Sequence, residues 1–388
     1  MSASLFFRRL DYVLLAAVAG VIALGSITIH SVTDAATERR QLIYVAIGVL
    51  FALVIAFVDL KLYRKVLWPG YVALLLLLMV VLGLEAARGS SRWITLPGFN
   101  LQPSEIGKLV VIVVLAALVA ESSRERQGTW RMFGLSLVVM LVPCGLVFLE
   151  PDLGTAIVYG FAWLSILVVA GARMIQLGLV VAVIVTAILL VFNVLPASGI
   201  RILQPYQQQR ITAFLDTSGT SQAAYQSQQA KIAIGSGGLS GKGENGATVA
   251  KAGFLPERHT DFIFAVVGEQ RGFVGAAFLL CLYVLIVWRA ARAITLAATL
   301  YESLVAAGIF GMWIVQIFVN VGMTLGIMPT TGIPLPFMTY GGSNTITNLV
   351  ACGLLIAIQV RGGVPEAPPL ADHAVVRSRT RWSAATGD

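Results

Sequence analysis

Ten apolar runs divide the chain, at 11–30, 41–59, 66–84, 102–121, 132–149, 153–170, 174–195, 271–291, 303–327 and 344–361. The runs are continuous and do not alternate with period two, so they predict helices and not the strands of a barrel. A spanning helix takes about 20 mostly apolar residues, and several runs reach that length while the rest fall near it. The pattern predicts an all-α polytopic membrane protein of about ten transmembrane helices in one domain, residues 1–361. Between the seventh and eighth runs lies a large loop, about 196–270, far longer than the usual connection and therefore expected to be functional. Residues 362–388, with Pro365, Pro368 and Pro369 among basic residues, read as a disordered tail.

Composition places the chain more firmly in the membrane: 57% of its 388 residues are hydrophobic and 12% are charged, well outside the range of soluble domains. The net charge of +8 does not point to nucleic acid, because the basic residues gather at the ends of apolar runs. Arg8, Arg9, Lys61, Arg64, Lys65, Arg124, Arg126, Arg173, Arg289 and Arg292 all fall on one side of the ten-run layout, which the positive-inside rule makes cytoplasmic. An even number of spans puts both termini on that side, where Arg377, Arg379 and Arg381 can meet anionic membrane lipids, and puts the large loop outside. Tyr12 to Ile29, behind Arg8-Arg9, is longer than a signal-peptide core and reads as an uncleaved first helix. Cys144, Cys281 and Cys352 have no C-x-x-C spacing and read as small core residues, not as a disulfide framework or zinc site.

The candidate chemistry lies at the outer ends of these runs. Asp261, in Leu255-Pro-Glu-Arg-His-Thr-Asp-Phe-Ile-Phe264, stands where a polar loop meets an apolar segment. It has two readings: a helix N-cap, or a carboxylate at the edge of a low-dielectric region, placed for general-base work. Glu105 and Lys108 are three apart in the first turns of the fourth run and share a face, so they can pair; charges inside a spanning helix usually face a bundle interior or a pathway. Asp152, in Glu150-Pro-Asp-Leu-Gly-Thr155, can cap the sixth helix or face a cavity. With Arg92 and Arg210 these residues map to the outer half of the bundle, where mixed acids and bases suit chemistry on a phosphorylated lipid. The glycines of Lys231-Ile-Ala-Ile-Gly-Ser-Gly-Gly-Leu-Ser-Gly-Lys-Gly243 invite a P-loop reading, which fails because Ser236 holds the first glycine position and Gly243 follows Lys242. Close packing is the other use of such glycines. The stretch from Met328 to Asn344 is too rich in Pro and Gly for a helix and reads as a cavity wall.

These strings, together with Arg92-Trp93, Gln102-Pro-Ser-Glu105, Pro334-Leu-Pro and Tyr340-Gly-Gly-Ser343, resemble the SEDS family of bacterial cell-wall proteins (shape, elongation, division and sporulation). They run in the family's order from about 90 to 345. Lys231 to Gly243 and Arg258-His259 favour its elongation branch over its division branch. Met338-Thr339 before Tyr340 departs mildly from the pattern, in which Ser often precedes the Tyr.

The resemblance implies a multi-pass protein of the bacterial cytoplasmic membrane with its active site facing outside. It implies a peptidoglycan glycosyltransferase that polymerises lipid II with inversion, using an undecaprenyl diphosphate-linked glycan as donor. The class B penicillin-binding protein that cross-links the glycan, and the elongation machinery, are the implied partners. Asp261 matches the family's essential aspartate and is the expected catalytic base, with capping as a second role. Glu105, Lys108, Arg92, Asp152, Arg210 and Lys231 are the expected substrate and cavity residues, Lys108 or Arg210 stabilising the departing diphosphate. A divalent cation, magnesium or manganese, is compatible with carboxylate and phosphate oxygens, although no Asp-x-Asp pair marks a site; no nucleotide cofactor is expected. Two rival readings stand beside this one: a lipid II flippase, and a non-catalytic scaffold for the transpeptidase.

Overall fold

The computed structural model describes residues 7–58, 60–83, 92–96, 99–122, 130–190, 222–251, 255 and 257–362. Arg210, with the first part of the large loop, and the tail after Gly362 lie outside the described residues. Each predicted run returns as a helix: α1 Tyr12–Val32, α2 Ala35–Phe57, α3 Leu60–Gly83, α4 Pro103–Ser122, α5 Trp130–Leu149, α6 Leu153–Val169 and α7 Met174–Leu189 precede the large loop. The loop contributes α8, Gln222–Ser236, and single turns at Gly243–Gly246 and Thr248–Lys251; α9 Ile263–Leu296, α10 Leu300–Leu325 and α11 Gly342–Gly362 complete the bundle. Eight of these helices are long and apolar enough to cross a membrane, and α6 and α7 are shorter apolar helices. The chain is a multi-pass membrane protein. The sequence reading missed α8 inside the large loop and also the antiparallel hairpin of β1, Ile94–Leu96, and β2, Phe99–Leu101, whose three-residue strands are too short to show a period.

The helices α4, α10 and α11 form the centre, with 78%, 78% and 89% of their spanning residues buried, whereas α2 and α3 present most of theirs outward. Small residues let the central helices be approached closely, as packing between membrane helices requires. A Cβ at Gly353 of α11 would fall 2.5 Å from the carbonyl oxygen of Ala52, so α2 lies against α11 only because none is there. Cys352 is buried as expected, but Cys281 lies on the exposed face of α9 and is not a core residue.

At one end of the bundle, Asp11 caps α1, accepting from Leu14 N at 3.0 Å, and pairs with Arg289 of α9 at 2.6 Å. Arg9 donates to Val360 O and Arg361 to Phe57 O, at 3.4 and 2.9 Å. These bonds tie α1, α2, α9 and α11 together at the end where α1 begins and α11 finishes.

The eighth span departs from expectation. Helix α9 starts at Ile263, eight residues before the run that hydropathy places at 271–291, so the large loop ends near Phe262. Glu269, Gln270 and Arg271 interrupt the apolar pattern, but Glu269 and Gln270 are buried and each is bonded from outside the helix. Val249 N donates to Glu269 Oε1 at 2.9 Å, and Gln270 Nε2 to Ser31 Oγ at 2.7 Å. Helix α9 then breaks at Gly272, which has φ 64° and ψ −162°. The glycine-rich string wraps this break: Phe273 N donates to Gly238 O at 2.8 Å, Val274 N to Leu239 O at 3.1 Å, and Lys242 N to Glu269 O at 3.0 Å. A Cβ on Gly272 would collide with the Gly241 backbone. The string's glycines therefore serve close packing.

Candidate active site

Helices α4, α6, α9 and α11 all begin at one cavity of about 310 Å³, at the end opposite the Arg9, Arg289 and Arg361 contacts. It is lined by Arg92, Trp93, Gln102, Glu105, Asp152, Thr155, Glu257, Thr260, Asp261, Gly332, Pro334, Thr339, Tyr340, Gly341 and Asn344. Four helix N-termini at one cavity give its wall a partial positive charge, suited to anionic ligands.

Pro103 opens α4, as its fixed φ favours. The residue before it, Gln102, donates through its backbone N–H to Ser343 Oγ and through Nε2 to Asp152 Oδ2, both at 2.9 Å. Asp152 is the N-cap of α6 and also accepts from Thr155 N at 3.1 Å and Thr155 Oγ1 at 2.9 Å. Both readings of Asp152 hold geometrically: it caps a helix and lines the cavity. One turn into α4, Glu105 and Lys108 form an ion pair at 2.7 Å with side chains 3% and 1% exposed. Glu105 lines the cavity and Lys108 stands behind it, so the lysine's charge is engaged by the glutamate.

Arg92 clamps the turn between α5 and α6, donating to Glu150 O at 3.2 Å and Pro151 O at 2.6 Å. Glu150 itself is wholly buried, and neither carboxyl oxygen has a hydrogen-bond partner among the described residues. Burial, and then the neighbouring Asp152 charge, push its pKa up to about 8 against the pull of Arg92. The folded protein thus holds a proton that the unfolded chain releases above pH 4.5. Its contribution to stability is complete below that pH and is lost as pH rises through about 8. Glu150→Gln is expected to flatten this part of the stability profile, read as detergent-solubilised unfolding midpoints from pH 5 to 9; an unchanged slope would show that Glu150 ionises normally.

Asp261 is half-buried, and a continuous set of bonds fixes its backbone. Glu257 takes φ 56°, and the turn it starts is closed by Thr260 N and Phe262 N donating to Glu257 O. Tyr340 N donates to His259 O at 3.0 Å, and Thr339 Oγ1 to Thr260 O at 3.2 Å. Asn320, inside α10 and fully buried, donates to Asp261 O at 3.0 Å and Ile333 O at 2.8 Å. The capping role expected of Asp261 is not found, because the N-cap position of α9 falls on Phe262, which has no side-chain cap bond. The reason is register: the turn through Thr260 and Asp261 runs one residue further before the helix starts.

Of the expected site residues, Arg92, Glu105, Asp152 and Asp261 meet at the cavity, with Lys108 directly behind. Lys231 does not line it: the residue lies on the exposed face of α8, its side chain packed over Gly326 at the end of α10, where the missing Cβ leaves room. The expectation that Lys231 is a cavity residue, carried by the resemblance, does not hold, since the string that begins with it packs on the outside of α9. Gln102, Tyr340 and Asn344 belong to the wall and Asn320 supports it. Their signal was available in a polar residue inside an apolar run, which for Asn320 was passed over. Among the described residues no group of three His, Cys, Asp or Glu side chains is placed to hold a metal ion. Since Glu105 is paired and Asp152 accepts three hydrogen bonds, the described residues do not make a protein metal cage.

A family model described as Cell cycle protein, FTSW_RODA_SPOVE, matches residues 6–362. The chain belongs to this family. It is the SEDS family that the motifs resemble. Peptidoglycan glycosyltransferase MrdB of Escherichia coli strain K12 is 34% identical over 357 residues, covering 90% of this chain and 93% of its own. Probable peptidoglycan glycosyltransferase FtsW of Coxiella burnetii is also 34% identical, covering 87% and 93%. Among solved SEDS structures, rod shape determining protein RodA of Thermus thermophilus superposes with a TM-score of 0.68 at 28% identity, covering 92% of this chain and 98% of its own. A chain from a study of polymerization and crosslinking by a peptidoglycan synthase complex superposes at 0.78 with 31% identity, covering 91% and 98%.

Proposed function

We propose that this SEDS protein is a peptidoglycan glycosyltransferase that polymerises lipid II into β-1,4 glycan, with Asp261 as general base. The observation that carries the reading is the cavity itself, which sets Asp261 among four helix N-termini in a chain 34% identical to a peptidoglycan glycosyltransferase over 357 residues. The basic end of the bundle belongs in the cytoplasm by the positive-inside rule. The cavity therefore faces the outside, where α1 does not begin and α11 does not end.

In this reaction the growing glycan on undecaprenyl diphosphate is the donor and an incoming lipid II is the acceptor. Asp261 accepts the proton of the acceptor 4-hydroxyl as its oxygen attacks the donor's anomeric carbon from the face opposite the diphosphate. The new C–O bond forms as the bond to the diphosphate breaks, inverting the centre, and the diphosphate leaves with the electron pair. Negative charge grows on the leaving group, so positive ends of helices fixed at the wall stabilise the transition state more than the ground state. Glu105 and Asp152, held by Lys108, Gln102 and Thr155, shape the wall. A magnesium or manganese ion would come with the substrate's diphosphate, because the described residues offer no cluster of three metal-ligating side chains to hold it. The partner is a class B penicillin-binding protein, which fits a neighbour named for polymerization and crosslinking together.

The test is polymerisation of labelled lipid II by the purified protein with and without its class B partner, and with a chelator in a parallel arm. Glycan ladders that lengthen when the partner is present are expected. Transfer of lipid II across vesicles by a folded protein that makes no polymer would establish the flippase instead.

A further inference from the structure

The wall of the cavity contains an amide whose orientation is set from deep inside the bundle. Trp313 of α10 is fully buried and its indole N–H, which can only donate, is bonded to Asn348 Oδ1 at 2.8 Å. That bond leaves Asn348 Nδ2 as the donor, and it donates to Asn344 Oδ1 at 2.7 Å and to Asn344 O at 2.9 Å. Asn344 lies one helical turn above Asn348 on α11, lines the cavity and is 5% exposed. With its oxygen engaged, its Nδ2 group is the half left over, and this group has no acceptor among the described residues. A buried amide N–H₂ without an acceptor is costly unless a ligand or water supplies one. Beside it, the backbone N–H groups of Ser343 and Asn344 lie in the first turn of α11, where no intrahelical acceptor exists. The neighbouring Gly341 N–H is already taken, donating to Gln41 Oε1 at 3.3 Å.

We propose that the Asn344 amide, its oxygen fixed by the Trp313–Asn348 relay and its Nδ2 left without an acceptor, and the first-turn N–H groups of α11 form the seat for diphosphate oxygens of the lipid-linked substrate. The inference rests on the glycosyltransferase reading for its ligand. It differs from the expectation that Lys108 binds the diphosphate, since that lysine is engaged by Glu105. A neutral donor set at a helix N-terminus can grip the diphosphate oxygens and release the product without leaving a fixed cation behind.

The experiment uses the full chain with its class B partner and measures KM for lipid II, and inhibition by undecaprenyl diphosphate and by inorganic pyrophosphate. Asn344→Asp keeps the shape and replaces the donor with a carboxylate. It is expected to raise KM and weaken inhibition by both diphosphates by about tenfold to a hundredfold, the range of a lost bond to a charged group. Asn344→Ala should give a smaller loss in the same three quantities. Trp313→Phe frees both amides to flip and should weaken diphosphate binding in the wild-type background but add nothing in the Asn344→Ala background. Unchanged inhibition by both diphosphates with raised KM would overturn the assignment, placing a sugar at Asn344 instead. Weakened inhibition by undecaprenyl diphosphate alone would also overturn it, since a seat for diphosphate oxygens must read both probes.

Thermal stabilisation of the same variants by undecaprenyl diphosphate supplies a readout that needs no activity. Absence of polymer from the wild type would sink the glycosyltransferase reading, whereas loss of that stabilisation on Asn344→Asp would still support the seat. Equal stabilisation of wild type and Asn344→Asp would sink the seat, with the activity untouched.

Discussion

Asp261→Asn is expected to lower lipid II polymerisation by at least about a hundredfold, because removing a positioned general base typically forfeits a factor of about 10² to 10⁴. Asn has nearly the size of Asp and cannot accept a proton at neutral pH. The substitution keeps the side chain's shape, Asp261 is not the N-cap of α9, a position that falls on Phe262, and the Asn320 bond to the backbone carbonyl of residue 261 stays in place. The folded state should survive intact, with an unchanged unfolding midpoint and an unchanged yield of the complex with its transpeptidase partner. Gel analysis of glycan made by that complex checks it. Polymer at near wild-type rate from Asp261→Asn would remove the base assignment and leave the scaffold and flippase readings in play.

The second large effect concerns stability. Lys108→Met leaves Glu105 as a charge with a 3% exposed side chain and no partner cation among the described residues. Breaking a buried pair in this way costs about 3–5 kcal/mol, because the remaining ion keeps its desolvation penalty and loses its compensation. Removing both charges together costs much less, since an apolar or neutral pair of similar volume packs well. Lys108→Met should therefore be strongly destabilised in detergent, and the double variant Glu105→Gln with Lys108→Met should recover most of the loss. If the single and double variants unfold alike, the pair does not carry the burial cost described.

These two predictions draw on residues whose placement could be read before any coordinates. Glu105 and Lys108 are three apart on one helix, and that spacing alone puts them in contact. Asp152 precedes a helical run at the cap position, and Asp261 lies inside a string long enough to mark a family. Local spacing and motif identity were sufficient in each case. What failed were relations between distant segments. Lys231 was misplaced because the string that contains it packs on the outside of α9, a fact set by contacts with Gly268 to Val274. The start of α9 was hidden because Glu269 and Gln270 look like loop residues until their partners Val249 and Ser31 are known. Asn320 is one of two amide side chains, with Gln316, in an apolar run, and its two acceptors lie 59 and 13 residues away.

Asn320 carries one further consequence. Its amide has two hydrogens, and the cavity uses both: one holds the segment bearing Asp261, the other the loop at Ile333. The two walls are thus stapled by a side chain rooted in a rigid central helix, beside the direct bonds from Tyr340 N to His259 O and from Thr339 Oγ1 to Thr260 O. They cannot drift apart gradually, since any widening between them must sever these bonds outright, at a net cost of about 0.5–1.5 kcal/mol for each. The cavity should accordingly behave as a latch with two settings, shut or sprung, and a partner has to supply the sum of those bonds to change which setting prevails.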